Sequence, residues 1–249
     1  MASSAGPKAL VLVVHAYGGS PRKFWYPRLC EHVGDLADVE VIRMTNPSTP
    51  CIAVWLEDLE RRVSKLAAAA AAGGEEGARD PDQQQVLYLV GHSVGCQTII
   101  RFLAKPSTTE LFKGIKVGGS AGSSSGRCDG NRVLRLGGCL LVAAWFEVVD
   151  PWEGMLPWCQ TPVDCNAARS TLALAGGLGE DDTGGMISPP CLVLLSDNDR
   201  YTPDTNANAA RWRDSLGASV RVLPGRAHFG SKNQPDVMQA ARQLIVDTL

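Results

Sequence analysis

Hydrophobic residues occur in short runs that alternate with longer stretches of mixed polar and apolar positions. Near-continuous apolar runs such as VLYLV and CLVLL suit strands of a parallel sheet that is buried on both faces. Alternation with helical stretches is typical of repeated β-α-β units. The pattern therefore predicts an α/β fold with a mostly parallel, six-stranded sheet and helices on both faces. The predicted strands cover residues 9–14, 39–43, 86–90, 139–144, 191–195 and 219–223.

The stretches between these runs repeat apolar residues at helical spacing. In the first of them, Trp55, Leu59 and Val63 recur every four residues with charged residues between them, as on the buried face of an amphipathic helix. Two later stretches carry a proline near the first turn, where a helix tolerates it. Helices are predicted at residues 51–72, 94–104, 203–216 and 235–247.

The length of 249 residues suits a single domain, residues 1–249, with two polar insertions. We predict surface insertions at residues 73–85 and 106–138, the second of which contains the low-complexity sequence GGSAGSSSGRCDGN. Residues 144–165 are different, because they are irregular but apolar and contain Trp145, Trp152 and Trp158. These tryptophans either line a substrate pocket beyond the strand ends or cover the core. No segment is large enough for a separate lid domain.

Composition narrows the possible partners. The chain is 45% hydrophobic and 20% charged with a formal net charge of -2. Nothing in this balance points to nucleic acid or an acidic membrane surface as a partner, since either would need a concentrated basic patch. No apolar run reaches the roughly 20 residues that span a bilayer. The run at residues 9–14 leads directly into a turn, so we interpret it as a core strand and not a signal peptide.

Eight cysteines are present, but none forms a C-x-x-C pair and no histidine is spaced to complete a zinc site. We therefore expect no metal and no organic cofactor. A disulfide framework would be unusual for a domain of this size with such a core, so reduced thiols in a cytoplasmic protein are expected.

The pattern G-x-S-x-G occurs three times, centred on Ser93, Ser120 and Ser124. A nucleophile elbow needs a strand before the serine and a helix after it, which exposes the hydroxyl above the sheet edge. Only Ser93 has both, because VLYLV precedes GHSVG and CQTIIRFLA follows. Side chains at Gly91 and Gly95 would clash across such a sharp turn. Ser93 is therefore the candidate nucleophile, and the fold is predicted to be α/β-hydrolase-like.

A serine nucleophile needs a base, and histidine titrates near neutral pH. His92 should point away from the Ser93 hydroxyl, His32 lies among charged residues of an amphipathic helix, and His15 ends the first strand. His228 lies between the sixth strand and the last helix, where this fold places its base. Asp197 and Asp199 follow the fifth strand, and either one gives the chain order Ser, Asp, His of α/β-hydrolases.

The oxyanion hole of such a site uses two backbone N–H groups. One is expected from Val94, directly after the nucleophile, and the other from the turn after the first strand, HAYGGS. Within that turn we predict Tyr17, because Gly18 and Gly19 leave room for substrate beside it.

Several segments taken together resemble a known family. VVHAYGGSPRKFWYPRL, VGHSVGCQTIIRFLA, SDNDRYTP and AHFG, in this order, are similar to the small serine hydrolases related to retinoblastoma-binding protein and bacterial YdeN. The resemblance implies that the acid is the second acidic position of S-x-[DN]-D-x-x-x-P, which is Asp199 here. Ala16 and Ala227 stand where that family has glycine. The L-x-C-x-E element that binds retinoblastoma protein is absent, so this partner is not implied.

These observations predict a hydrolase that cleaves small ester, thioester or amide substrates through an acyl-enzyme. Ser93 attacks, His228 transfers the proton and Asp199 orients the imidazole. An aminopeptidase-like amidase is the second enzymatic possibility. The alternative from another class is an interaction protein that keeps the fold with weak or no turnover.

Overall fold

The computed structural model describes residues 8–72, 85–112, 134–175, 191–202 and 204–249. The strands are β1 (Ala9–Val14), β2 (Ala37–Val41), β3 (Gln85–His92), β4 (Leu134–Val142), β5 (Cys191–Ser196) and β6 (Ser219–Leu223). The helices are α1 (Tyr26–Val33), α2 (Ile52–Ala72), α3 (Val94–Leu103), α4 (Pro106–Phe112), α5 (Leu156–Gln160), α6 (Cys165–Ala175), α7 (Thr205–Leu216) and α8 (Pro235–Val246).

The six strands form one parallel sheet in the order β2-β1-β3-β4-β5-β6, which confirms the predicted fold class. The chain passes from β1 to β2 at one edge and then crosses back to place β3 on the other side of β1. At such a switch point the loops after the two strands diverge and leave a crevice at their carboxyl ends. The segments after β1 and β3 contain Tyr17 and Ser93, so both lie at this crevice.

Hydrophobic residues fill both faces of the sheet. In β1, Leu12 and Val14 belong to one core cluster, whereas Val11 and Val13 belong to the other. This is the alternation expected when both faces of a strand are buried. The first cluster includes residues of α2, α3, α6 and α7, and the second includes residues of α1 and α8.

Several predicted boundaries are wrong. Strand β4 covers Leu134–Val142 and not 139–144. Strand β2 covers Ala37–Val41 and not 39–43, and the predicted insertion at 106–138 begins in helix α4 and ends in strand β4. Phe112 and Leu134 are both buried, so the apolar flanks of this polar segment belong to the core. Residues 73–84 and 113–133, which contain the rest of both predicted insertions with Ser120 and Ser124, lie outside the described residues.

Helix α7 and the segment after β4 also differ from the prediction. Pro203 lies outside the described residues, and α7 starts at Thr205 with the Asp204 carboxylate accepting the N–H of Ala207 at 3.0 Å as an N-cap. The stretch 144–165 is not wholly irregular, because it contains a 3₁₀ turn, Glu153–Met155, and then α5. No helix within the described ranges is long and apolar enough to cross a bilayer.

Candidate active site

The turn between β3 and α3 places Ser93 at its tip, with φ +55° and ψ −119°. A β-carbon on Gly91 would lie 2.8 Å from the backbone of Cys96, across the turn as expected. A β-carbon on Gly95 would lie only 2.1 Å from the carbonyl oxygen of Val14. Gly95 is therefore required by the close approach of α3 to strand β1, a reason that the sequence alone does not reveal.

The imidazole of His228 bridges Ser93 and Asp199. Its Nε2 lies 2.8 Å from Ser93 Oγ, and its Nδ1 lies 2.7 Å from Asp199 Oδ2. An ionised carboxylate only accepts hydrogen bonds, so Nδ1 carries the proton and Nε2 is left to accept from the serine hydroxyl. The side chain of Asp199 is 3% exposed and that of His228 is 22% exposed, so the imidazole is the more accessible of the two.

The two candidate acids have separate tasks. Asp199 is buried, and its second oxygen, Oδ1, accepts the backbone N–H of Tyr201 at 3.0 Å, which fixes the carboxylate toward His228. Asp197 is exposed and accepts the backbone N–H of Gly225 at 2.8 Å. The structure therefore brings Asp199 to the histidine, and Asp197 caps a turn in the loop that precedes it.

The end of β5 holds the loop before His228 through side-chain hydrogen bonds. Ser196 Oγ accepts the N–H of Arg226 at 2.9 Å and donates to Asn198 Oδ1 at 2.8 Å. The same Asn198 oxygen accepts the N–H of Ala227 at 2.7 Å. The S-D-N-D sequence thus carries the carboxylate and three side chains that position the histidine loop.

The three other histidines do not contact the Ser93 hydroxyl. His32 is exposed on α1, away from Ser93. His15 is buried beneath the turn after β1, where Nδ1 lies 2.9 Å from the carbonyl oxygen of Ala16, and burial lowers its pKa. His92 is buried with its ring directed away from the Ser93 hydroxyl, toward Tyr26 and the backbone of His228. Burial and the neighbouring His228 lower the pKa of His92 to about 3.

Two backbone N–H groups next to the crevice have no acceptor among the described residues. Val94 is the first residue of α3, so its N–H has no acceptor within the helix. In the turn after β1, the N–H groups of Ala16, Gly18 and Gly19 donate to acceptors within the fold at 3.0, 2.6 and 2.9 Å. Among residues 16–19, only the N–H of Tyr17 has no hydrogen-bond acceptor in the part of the chain that the structure describes.

A cleft of about 990 Å³ opens above Ser93. One wall is a continuous series of aromatic rings, with centroids 5.1 Å apart for Tyr17 and Trp152, 6.2 Å for Trp152 and Tyr201, and 4.7 Å for Tyr201 and His228. The hydroxyl of Tyr17 donates to the carbonyl oxygen of Ser48, which fixes the ring. Further lining is apolar, from Val148 and Met155, or polar, from Asn198, Arg226, Ser231, Asn233 and Gln234.

The three predicted pocket tryptophans separate in the structure. Trp152 lines the cleft and is 40% exposed, and Trp145 reaches the cleft from a buried position. Trp158 does not line this cleft, so the structure does not bring it to Ser93 as the prediction requires. Its ring packs edge-on against Trp55 with centroids 5.9 Å apart, and its indole N–H donates to the carbonyl oxygen of Pro50 at 2.9 Å.

Sequence reasoning missed Tyr201 and the ring of Tyr17 as cleft residues. Tyr201 follows Asp199 by two residues in SDNDRYTP, so its place beside the predicted acid was an available signal. The Tyr17 ring gave no such signal, because it becomes a wall only through its contact with Trp152.

Metal ligands and thiols are the other reactive groups that the fold could bring together. Within the described ranges, no group of three His, Cys, Asp or Glu side chains is placed to hold a metal ion. The seven cysteines in those ranges are free thiols, and Cys128 lies outside them.

A parallel sheet with a serine elbow at its switch point defines an α/β hydrolase, and comparison with known proteins agrees. A profile described as the alpha/beta hydrolase family matches residues 11–241, so the chain belongs to this family. The YdeN protein of Bacillus subtilis is 29% identical over 106 residues, which are 42% of this chain and 47% of that protein. The matched segment thus spans about half the length of this relative.

Solved structures show the same fold. The crystal structure of the ydeN gene product from B. subtilis superposes with a TM-score of 0.63 at 18% identity, covering 96% of this chain and 100% of that one. Est1E from Butyrivibrio proteoclasticus gives a TM-score of 0.54 at 14% identity, with 98% and 90% covered. Siderophore hydrolase EstB from Aspergillus fumigatus gives 0.57 at 11% identity, with 100% and 92% covered. These matches confirm the α/β-hydrolase fold and the resemblance to YdeN.

Proposed function

We propose that the protein is a serine hydrolase that cleaves small ester, thioester or amide substrates through an acyl-enzyme. The observation that carries this proposal is the position of the His228 imidazole, within hydrogen-bond distance of Ser93 Oγ on one side and Asp199 on the other. This is the geometry in which a nucleophile, a base and an orienting acid act as a unit.

The proposed reaction begins when Ser93 Oγ attacks the substrate carbonyl carbon and His228 Nε2 takes the hydroxyl proton. The N–H groups of Tyr17 and Val94 stabilise the negative charge that develops on the carbonyl oxygen. His228 then returns the proton to the leaving alcohol, thiol or amine, and the acyl group remains on Ser93. Water, deprotonated by the same imidazole, attacks the acyl carbonyl, and the proton returns to Ser93 as the carboxylic acid leaves.

The cleft supports a preference for substrates with an apolar or aromatic group. The Tyr17, Trp152 and Tyr201 rings offer a hydrophobic wall beside His228, and a volume of about 990 Å³ suits a small molecule better than a polymer. Ester cleavage is further supported by the named activity of one structural neighbour, the carboxylesterase CesB from Bacillus subtilis, which superposes with a TM-score of 0.51.

Reaction with a fluorophosphonate probe tests the proposal. Wild type is expected to be labelled at neutral pH, and Ser93→Ala is expected to lose all labelling. Ser231→Ala is the matched control, because Ser231 lines the same cleft but its hydroxyl donates to the Asn233 carbonyl oxygen at 2.8 Å and has no histidine partner. Unlabelled wild type, or equal labelling of Ser93→Ala, would contradict the proposal.

A panel of p-nitrophenyl esters and aminoacyl anilides then separates esterase from aminopeptidase-like activity. If wild type is neither labelled nor active on this panel, the interaction-protein alternative is favoured. The absence of nucleic-acid and membrane partners and the cytoplasmic location remain predictions from composition.

A further inference from the structure

A second pair of buried polar side chains lies behind the site. His92 directly precedes Ser93, and its ring is enclosed by the aromatic rings of Phe24, Trp25 and Tyr26. Both of its nitrogens are engaged, Nδ1 at 2.8 Å from the hydroxyl of Tyr26 and Nε2 at 3.0 Å from the backbone carbonyl oxygen of His228. The hydroxyl of Tyr26 also accepts the backbone N–H of Ala16 at 3.0 Å.

The two ends of this chain of hydrogen bonds fix its direction. The His228 carbonyl oxygen can only accept, so His92 Nε2 must carry a proton and donate. The N–H of Ala16 can only donate, so the Tyr26 oxygen accepts it and directs its own proton to His92 Nδ1. One arrangement satisfies all four groups, and it requires a neutral His92 in the Nε2–H form.

We infer that Tyr26 and His92 are positioning residues that hold the oxyanion turn and the base in a fixed relation to the nucleophile. The series of hydrogen bonds starts at the N–H of Ala16, one residue before Tyr17, and ends on the backbone carbonyl of His228. His92 is bonded covalently to Ser93, so one rigid unit touches all three parts of the site. This inference rests on the proposed function.

A neutral His92 also fits the charge that the reaction creates. The His228 ring centroid lies 5.8 Å from that of His92, and His228 becomes an imidazolium when it takes the Ser93 proton. A second charged ring at this distance would oppose that step. Burial, with the rings of Phe24, Trp25 and Tyr26 packed around it, keeps His92 uncharged, and its Nε2–H bond reaches the backbone of His228.

Tyr26→Phe tests this series of hydrogen bonds with the smallest change. It removes one hydroxyl and both of its hydrogen bonds, and we expect kcat to fall about 10- to 100-fold with KM changed by less than about threefold, because misplaced reacting groups act on the chemical step. Tyr88→Phe is the matched control. Tyr88 is an equally buried tyrosine of the same core cluster, and its hydroxyl bonds Thr248 Oγ1 at 2.6 Å, remote from Ser93.

If the role of Tyr26 is only structural, both tyrosine variants will lose similar stability and keep wild-type kcat below their unfolding temperatures. That result would overturn the inference. A loss of kcat confined to Tyr26→Phe supports it.

Substitution of His92 by glutamine or asparagine distinguishes its hydrogen bond to His228 from its hydrogen bond to Tyr26. Glutamine places a donor near the position of Nε2 and can still bond the His228 carbonyl, whereas asparagine reaches only the position of Nδ1 and keeps the Tyr26 end. We expect His92→Gln to retain about tenfold more kcat than His92→Asn. Equal kcat values for the two variants would contradict an anchoring role at His228.

Long-range ¹⁵N NMR of the histidine side chains tests the hydrogen-bond direction without a substrate. His92 is expected to be neutral and in the Nε2–H form in wild type at pH 5. In Tyr26→Phe the Nε2–H form is expected to persist, because the His228 carbonyl still accepts from it, and the Nδ1 chemical shift is expected to change because that nitrogen loses its hydrogen-bond donor. A protonated or Nδ1–H form in wild type would overturn the inference even if the protein is an active hydrolase. If His92 has the expected form but fluorophosphonates do not label the protein, the proposed hydrogen bonds stand and only the proposed function is refuted.

Discussion

Asn198 Oδ1 accepts the backbone N–H of Ala227 at 2.7 Å, so the residue before the proposed acid holds the residue before the proposed base. The same oxygen accepts the hydroxyl of Ser196, whose own oxygen accepts the N–H of Arg226. The loops after β5 and β6 are thereby joined before His228 and Asp199 meet. The separation of 2.7 Å between these two side chains depends on this backbone connection as well as on their own hydrogen bond.

Asn198→Ala is expected to reduce kcat about tenfold, because it releases the backbone at Ala227 and lets the imidazole sample positions away from Ser93. Asn198→Asp is the matched variant, since it keeps an oxygen that accepts from both Ser196 and Ala227. We expect it to retain more kcat than the alanine variant. Steady-state kinetics with a p-nitrophenyl ester measure both, and equal losses would show that the acceptor at position 198 does not hold the loop.

Asp199→Asn is expected to lower kcat by about 10⁴-fold, because an amide in place of the carboxylate favours the wrong tautomer of the histidine. Asp197→Asn should stay within about tenfold of wild type, since an amide oxygen can still accept the Gly225 N–H and the side chain is exposed. The comparison of kcat between the two variants assigns the acid. Similar losses in both would argue against Asp199 as the partner of His228.

Ala227→Gly is expected to raise the free energy of unfolding. Ala227 has a φ of +49°, a conformation that costs a non-glycine residue about 1 kcal/mol, and its side chain is exposed. Greater freedom of glycine in the unfolded chain offsets part of this gain. Ala16→Gly is the control, because Ala16 lacks a positive φ and should lose stability. Urea unfolding measures the free energy of unfolding of both variants. A lower value for Ala227→Gly than for wild type would show that the backbone at Ala227 is not strained.

Stability is expected to fall as the pH falls below neutral, in part because of His92. Its pKa is lowered to about 3 in the folded protein from 6.5, chiefly by burial, so between these pH values the unfolded chain binds a proton that the folded protein does not. The stabilisation is fully present above pH 6.5 and is lost at about 1.4 kcal/mol per pH unit as the pH falls toward 3.

Urea unfolding at about pH 7, 5.5 and 4.5 measures this dependence across the range in which the stabilisation is expected to be lost. His92→Gln should show a shallower decline than wild type, because the protonation of this one side chain no longer favours the unfolded chain. Parallel curves for the two proteins would show that His92 is not buried in the neutral form.

The fold was predictable because a buried parallel sheet leaves a strong pattern of hydrophobic runs. The position of Ser93 at the turn between β3 and α3 was predictable for a related reason, since the elbow combines a strand, a glycine-flanked serine and a helix within one short segment. The choice of Asp199 over Asp197 came from the resemblance to a known family. The structure supplies a physical reason, because Asp197 bonds the Gly225 N–H and Asp199 lies buried beside His228.

The pocket was predicted less well because its walls form only in three dimensions. Trp152 and Trp158 lie six positions apart in the same apolar segment, yet one faces the cleft and the other packs on Trp55. Composition cannot distinguish these environments. The ends of the predicted insertion at 106–138 were missed similarly, because Phe112 and Leu134 lie next to polar sequence and their burial depends on distant elements.

If the protein is a serine hydrolase, Ser93 carries an acyl group during turnover. Rapid mixing with a p-nitrophenyl ester, acid quenching and peptide mass spectrometry locate that group directly. We expect an acyl adduct on the peptide that contains Ser93 in wild type, and none in Ser93→Ala. Steady turnover of the ester with an adduct on a different side chain, or with no adduct at any quench time while Ser93→Ala remains active, would contradict it.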